Sequence, residues 1–350
     1  ELEPNSDGAA YGSTTSLGAS IVSQTSRSRL AINPGVTGRL FGGGTDASDS
    51  NQISPRLSAQ FDHRVAAVDF RSGLSFDVRP TAFSEIGEDG SGVPDLDVID
   101  QNATQISLIG NAGFTYRIND RNRATIGTDV RVIRFDDDAT GLTPNTTIGV
   151  SGEFAHDVNE RVTSSFGAGL RRVRLGGATD TETLIFDVDG GLNAFVSPRF
   201  SLGGSLGVSL IDRTDGAGGG DTGLGLNASA NFAYQVFDDL SLSFNARQGV
   251  EPSADGELQN QTTLSLGATQ FINQRERVSL NLGLSRQAAA DTSVGASDDT
   301  TQFQTGASYQ WTITPEVVAQ LGYTMRWELQ PDDAMSHKVF LSLSRSLFYP

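Results

Sequence analysis

The sequence has no cysteine and only three histidines, His63, His156 and His337. Without thiols it can build neither a disulfide framework nor a thiolate zinc site. It can also cross an oxidising compartment without stray cross-links. Hydrophobic residues make up 37% of the 350 residues and aromatics 8%, less than the roughly 45–50% apolar content of soluble domains. No run approaches the roughly 18 apolar residues of a membrane helix, so helical spanning is excluded. Basic residues are scarce as well: 25 Lys and Arg against 42 Asp and Glu give a net charge of −17. Nucleic acid as a partner is thereby disfavoured, because its phosphates need Lys and Arg. The chain opens on Glu1 without the apolar stretch of an export signal. The expectation is that such a signal was removed or that the sequence is a trimmed piece.

What is present is alternation. Leu224, Leu226, Ala228, Ala230, Phe232, Tyr234 and Val236 alternate with Gly225, Asn227, Ser229, Asn231, Ala233 and Gln235. Val317, Ala319, Leu321, Tyr323, Met325 and Trp327 do the same against polar neighbours, as do Val68, Phe70, Leu74, Phe76 and Val78. A period of two puts one set on each face of a pleated strand, whereas a helix would scatter them. Averaging over such a strand hides its apolar face, so modest overall hydrophobicity is compatible with a membrane barrel.

The same test places strands near 15–25, 28–41, 54–62, 66–79, 104–118, 122–135, 145–157, 161–174, 182–196, 199–212 and 222–237. Others fall near 240–249, 261–273, 276–287, 301–313, 316–329 and 337–349. Tight turns such as Asn119-Asp120-Arg121, Asp157-Val158-Asn159-Glu160 and Asn273-Gln274-Arg275 alternate with long segments such as 80–103, 136–144 and 288–300. Loops sorted by length in this way belong to a transmembrane antiparallel up-and-down β-barrel of about 16–18 strands, with short periplasmic turns and longer extracellular loops. The acidic residues gather in the long loops: Glu85, Glu88, Asp89, Asp95, Asp97 and Asp100 in one, Asp136, Asp137 and Asp138 in another, Asp291, Asp298 and Asp299 in a third, Asp332 and Asp333 in a fourth. They read as solvated loop charge that could bridge through divalent cations to lipopolysaccharide, and they lack the ligand spacing of a calcium loop.

Aromatics fall toward strand ends, with Phe303 and Trp327 on the long-loop side and Tyr309 and Trp311 on the short-turn side. A tilted strand from Phe303 to Trp311 spans on the order of 20 Å, close to the ~25 Å apolar band of such barrels. The reverse faces could not form a dry core, since burying them unpaired would be costly. Their charged members are the expected pore lining: Asp69, Arg71, Asp77, Arg117, Arg123, Asp129, Arg131, Glu153, Arg171, Asp187, Arg247 and Arg326. Glycine and serine take many of the remaining positions and cannot fill a wide barrel, which leaves a hydrated lumen. Two readings of the inward arginines and aspartates stand side by side: an ion-pair ladder that stiffens the wall, and a transverse field that orients polar solutes.

Single-chain bacterial barrels use even strand numbers, and seventeen strands are counted. Residues 1–14 are therefore expected to be an extracellular loop or tail preceded by a missing strand, with 15–350 forming one barrel domain. The last strand, "HKVFLSLSRSLFYP", resembles the terminal signal by which outer-membrane barrels engage the assembly machinery. The stretch "LSLSFNARQGVEPSADGELQNQTTLSLGATQFINQRERVSLNLGLSRQ" resembles porin-like Gram-negative outer-membrane proteins, with its strand, polar turn, strand and loop. That resemblance implies an outer-membrane location but no named substrate.

No catalytic constellation emerges. His156 lies on an apolar-face register while Asp157 faces the other way, and no histidine gains a serine or aspartate neighbour from pattern alone. The glycine runs at 42–44 and 218–220 follow no phosphate-binding spacing. The expectation is therefore a protein that is not an enzyme, with no cofactor and no metal. Its expected partners are outer-membrane lipids and lipopolysaccharide, the assembly machinery and small polar solutes; the oligomeric state is open. The leading function is passive diffusion of small hydrophilic solutes. Polysaccharide export and a structural or adhesive surface role are the alternatives. Residues 80–103 are the one serious candidate for a loop folded into the lumen as a constriction, and whether they do so is left open by the sequence.

Overall fold

The computed structural model describes residues 11–42, 52–80, 104–136, 142–176, 181–215, 220–252, 258–289, 299–330 and 334–346. They form β1 (Tyr11–Gly18), β2 (Ile21–Gln24), β3 (Ser28–Gly42), β4 (Gln52–Val65), β5 (Val68–Pro80), β6 (Thr104–Arg117), β7 (Asn122–Phe135), β8 (Asn145–Asn159) and β9 (Val162–Leu175). The second half comprises β10 (Thr181–Ser197), β11 (Phe200–Asp215), β12 (Gly220–Gln235), β13 (Leu240–Pro252), β14 (Leu258–Phe271), β15 (Glu276–Ala289), β16 (Thr300–Thr314), β17 (Val317–Gln330) and β18 (Ala334–Arg345). All eighteen belong to one sheet. From β3 onward each strand pairs antiparallel with its successor. This is the up-and-down arrangement expected, and no described helix is long and apolar enough to cross a membrane.

β1 and β2 both pair with β3, the first against Gly35–Gly42 and the second against Arg29–Ile32. They are two parts of one wall position. The break at Ala19 and Ser20 lies across from Pro34, which has no N–H to give the ladder; Pro34 only accepts, from Ala19 N at 3.0 Å. β1 begins at Tyr11, so residues 11–14 are strand rather than the expected loop. Residues 1–10 lie outside the described residues. β1–β2 and β18 both run from the long-loop side to the short-turn side.

The short turns are built alike. Asn119 Oδ1 accepts from the backbone N–H of Arg121 and Asn122 at 3.0 and 2.9 Å. Asn159 does so from Arg161 and Val162, and Asn273 from Arg275. A side-chain oxygen that closes on the amides two and three residues ahead pre-forms the reversal, which is why Asn suits this place. Loss of one such carbonyl, as in Asn159→Ala, is expected to cost about 1 kcal/mol in denaturant unfolding.

Register sorts the wall into two chemical faces. The convex face carries large exposed apolar side chains strand after strand: Leu74, Leu108, Val130, Val150, Leu170, Phe186, Leu210 and Leu226. Val150 is 51% exposed and Leu210 51%, a state that water would penalise and hydrocarbon would not. Phe303 pairs with Trp327 at the long-loop end of this face. Tyr309 and Trp311 sit at its other end beside Leu321 and Ala319. The two aromatic levels thus bracket the apolar belt as expected. A charge tests the assignment directly. Val150→Arg is expected to cost about 2–4 kcal/mol of stability in lipid vesicles, while Ser151→Arg on the opposite face costs under about 1 kcal/mol. Equal costs would refute the two-faced wall.

Candidate permeation path

All twelve charged residues expected to line the pore fall on one register. It passes from Asp69 and Arg71 on β5 through Arg117, Arg123, Asp129, Glu153, Arg171 and Asp187 to Arg247 and Arg326. That face is the concave one, because Arg171 on β9 reaches β13 across three intervening strands.

The charges are unevenly distributed around it. On β3 to β5 the concave register holds Arg29, Arg39, Arg56, Arg64, Arg71 and Arg79 against Asp62, Asp69 and Asp77. β6 and β7 add Arg117, Arg123 and Arg131 against Asp129. From β8 to β12 the balance inverts, with Glu153, Asp157, Asp187, Asp189 and Asp221 against Arg171 and Arg213. A basic arc of wall therefore adjoins an acidic one, although the chain as a whole is strongly acidic.

Toward the short turns the ion pairs tie neighbouring strands together. Asp69 accepts from Arg64 on β4 and, at 3.1 Å, from Arg117 on β6. Asp157 on β8 meets Arg123 on β7 at 3.3 Å and the Thr163 hydroxyl of β9 at 2.7 Å. Arg71 approaches Asp62 at 3.9 Å and its side chain is 72% exposed. Small residues on this face are seats for neighbouring side chains. A Cβ on Gly149 would fall 2.3 Å from the Asp129 carboxylate, so Asp129 lies flat on the wall where Gly149 leaves room.

At the long-loop end the wall overlaps itself. β12 and β13 pair only between Ala228–Gln248 and Gln235–Ser241. Beyond Ala228, β12 stays with β11 and β13 stays with β14. Val250, on the convex register of β13, then covers Gly225 on the concave face of β12, where an added Cβ would meet Val250 Cγ2 at 2.7 Å. The β13–β14 ribbon has slipped inside its neighbour. Val250 and Leu258 join Val173, Leu175, Ile185 and Ile211 in the one buried apolar cluster among the described residues.

Arg171 holds the ribbon. Its guanidinium donates to the Val250 carbonyl at 3.3 Å, meets Glu251 at 3.5 Å and meets Asp187 at 3.4 Å. Arg247 reaches the other Glu251 oxygen at 3.1 Å. The Ser209 hydroxyl and the Asn227 amide donate to Asp187 at 2.6 and 2.8 Å. Asp187, Arg171, Glu251 and Arg247 thus form a chain of alternating charge across a narrowed mouth. Nearby concave side chains Asn145, Thr147 and Thr183 carry buried polar atoms with no partner among the described residues. Such atoms call for water.

Asp62, Arg64, Asp157 and Glu251 share this face as well, beyond the twelve residues expected on it. Glu251 lies past the end of the strand expected at 240–249, yet Arg247 and Glu251 are four apart and so share a strand face once β13 extends to Pro252. The expected constriction loop lies outside the described residues from 81 to 103. Of the acidic loop residues, Asp136 accepts from Thr104 N at 3.1 Å, and Asp299 pairs with Arg286 at 2.7 Å.

The histidines gain partners that pattern alone did not supply. His63 Nδ1 bonds the Ser28 hydroxyl at 2.8 Å on the convex face, stacked on Phe61. Asp62 points to the other face, toward Arg71, so no carboxylate on that residue orients the ring as a base would need. His156 bonds Asn122 and His337 bonds the Tyr323 hydroxyl, each at 2.8 Å.

No protein-family model and no curated protein matches the sequence. Solved structures do match the fold. The FrpB iron transporter from Neisseria meningitidis (F3-3 variant) is 12% identical with a TM-score of 0.56, the match covering 98% of this chain and 66% of that one. The ferric-catecholate import receptor Fiu from E. coli K12 in its open form is 9% identical with a TM-score of 0.53, covering 96% and 73%. The chain spans just under two-thirds of the length of the FrpB structure it matches. At these identities the likeness concerns architecture: the chain has the fold of the Gram-negative outer-membrane β-barrels, and its apolar convex belt suits that location.

Proposed function

We propose that the protein is an outer-membrane channel for passive diffusion of small hydrophilic solutes. Its lumen is charge-segregated and narrowed where β13 and β14 fold inward. The observation that carries this reading is the uneven concave face, basic over β3 to β7 and acidic over β8 to β12. A purely structural ladder would need matched partners along each strand pair. Instead the arginines exceed the carboxylates on one arc, and Arg71 stays largely exposed. Such a surface keeps ions hydrated while biasing their sign and orientation. Because basic residues outnumber acidic ones over the whole concave register, the channel is expected to prefer anions.

Purified protein in planar bilayers tests this. Discrete ion-conducting steps with an anion-selective reversal potential are the expected outcome. Absence of current through correctly folded protein would return the structural or adhesive role.

A second reading comes from the fold neighbours, named as an iron transporter and a ferric-catecholate import receptor. In that reading the wall serves uptake of a larger ligand recognised by the long loops. Saturable binding of a ferric catecholate without solute flux would favour it over the channel.

A further inference from the structure

The long-loop ends of β7 and β9, the two strands that flank β8, carry cations on the wrong face for a lumen. Arg134, Arg172 and Arg174 alternate with Ile133, Arg171 and Val173, which are concave, so all three belong to the convex register. The same register farther along these strands is apolar, with Val132 and Val130 on β7, Ile148 and Val150 on β8, and Leu170 on β9. The switch from aliphatic to guanidinium side chains occurs toward the long-loop ends of the two strands that flank β8. A lipid-facing arginine is expensive at the bilayer midplane and tolerable only near the headgroups, where its long stem snorkels.

These arginines enclose something. They line an open cavity of about 470 Å³ together with Pro144, Thr146, Ile148 and Gly176. β8 forms its floor, Thr146 standing beside Arg174 and Ile148 beside Arg172. Arg134 donates to the Thr146 hydroxyl at 3.4 Å, which bends it across β8 toward β9. A carboxylate also enters from β10: Glu182, opposite Arg174, accepts from Arg172 at 2.6 Å. Among the described residues the rim thus presents three guanidinium groups and this one carboxylate.

We propose that this cavity binds a phosphate of the saccharolipid in the outer leaflet, the phosphorylated sugar of lipopolysaccharide. Planar guanidinium forks make paired charge-assisted bonds to phosphate oxygens. The committed source is lipid, not free phosphate, because the cavity opens directly onto the exposed aliphatic surface of Ile148, Val150 and Leu170, where acyl chains can lie. The site rests on the outer-membrane reading of the wall and is independent of what the lumen conducts.

Native mass spectrometry of the purified full chain in detergent provides the test. It is titrated with bisphosphorylated lipid A, with the same lipid A after dephosphorylation, and with inorganic phosphate. Retention of the bisphosphorylated lipid is expected to exceed that of the dephosphorylated one by about tenfold, with no competition from inorganic phosphate at equal concentration. Arg134→Gln with Arg174→Gln should lower retention about tenfold while leaving single-channel conductance unchanged, which separates this site from the lumen. Arg286→Gln, on the convex face of β15, should retain lipid like the parent. Equal retention of the two lipids, displacement by inorganic phosphate, or full retention by the double variant would overturn the proposal. If the double variant does not fold, the comparison of the two lipids on the parent protein decides alone.

Discussion

Replacing Gly225 with leucine is expected to raise single-channel conductance about twofold to fivefold, because the limiting section of a hydrated mouth widens. The new side chain takes the seat that Val250 now occupies over β12. With no free rotamer between two packed strands, it wedges the β13–β14 ribbon away from the inner wall. Arg171→Ala should act in the same direction by a different route. It removes the donor to the Val250 carbonyl and leaves Asp187 facing Glu251. Losing hydrogen bonds to charged groups costs on the order of 2–3 kcal/mol locally. The complete absence of cysteine allows a sharper version. Gly225→Cys with Val250→Cys introduces the only two thiols in the chain. The oxidised protein should conduct like the parent, and reduction should open it. Conductance that ignores reduction in a cross-linked sample would show that this overlap does not limit flux.

Neutralising Arg64, Arg71 and Arg117 together to glutamine should move the reversal potential toward zero and weaken the anion selectivity. The sign follows from the local balance. Asp69 loses both of its cationic partners and Asp62 loses Arg71, so the excess of arginine over aspartate on the basic arc shrinks. The shift should be largest in dilute salt and fade near 1 M, where the screening length falls to about 3 Å. Asp187→Asn with Asp189→Asn should strengthen anion preference instead. An unchanged reversal potential in both variants would mean that the concave charges serve the wall alone and leave the solute untouched.

Much of this wall was legible beforehand. The strand expected at 122–135 is β7 residue for residue, and most others differ by a few residues at their ends. The reason is that pleat alternation is local: each residue reports its own face without reference to distant partners. The shared face of the twelve charged residues followed from the same property. The errors fell where alternation stops being local. β1 begins four residues early and breaks opposite Pro34, whose missing donor is felt only across the ladder. β13 continues to Pro252 and β14 starts at Leu258, because there the ribbon packs on β12 instead of entering the expected loop.

Pairing partners were less accessible than faces. Nothing in the local pattern joins Ser28 to His63, or Asp69 to both Arg64 and Arg117, since these contacts depend on which residues the hairpin register sets side by side. The convex arginines of β7 and β9 could have been noticed as interruptions of an apolar set. Their convergence on one cavity needed the lateral order of three strands.

The amino-acid sequence alone settled that the chain forms antiparallel strands with one greasy and one polar face, and where most of them reverse. Those properties rest on bond geometry and side-chain transfer energies that each short segment already contains. The tertiary structure decided that β13 passes inside β12, that Arg171 on β9 grips Glu251 eighty residues later, and that three arginines share one pocket on the lipid side. Contacts between residues so far apart in sequence gain their energy only after the intervening wall has curved, so no local segment can encode them by itself.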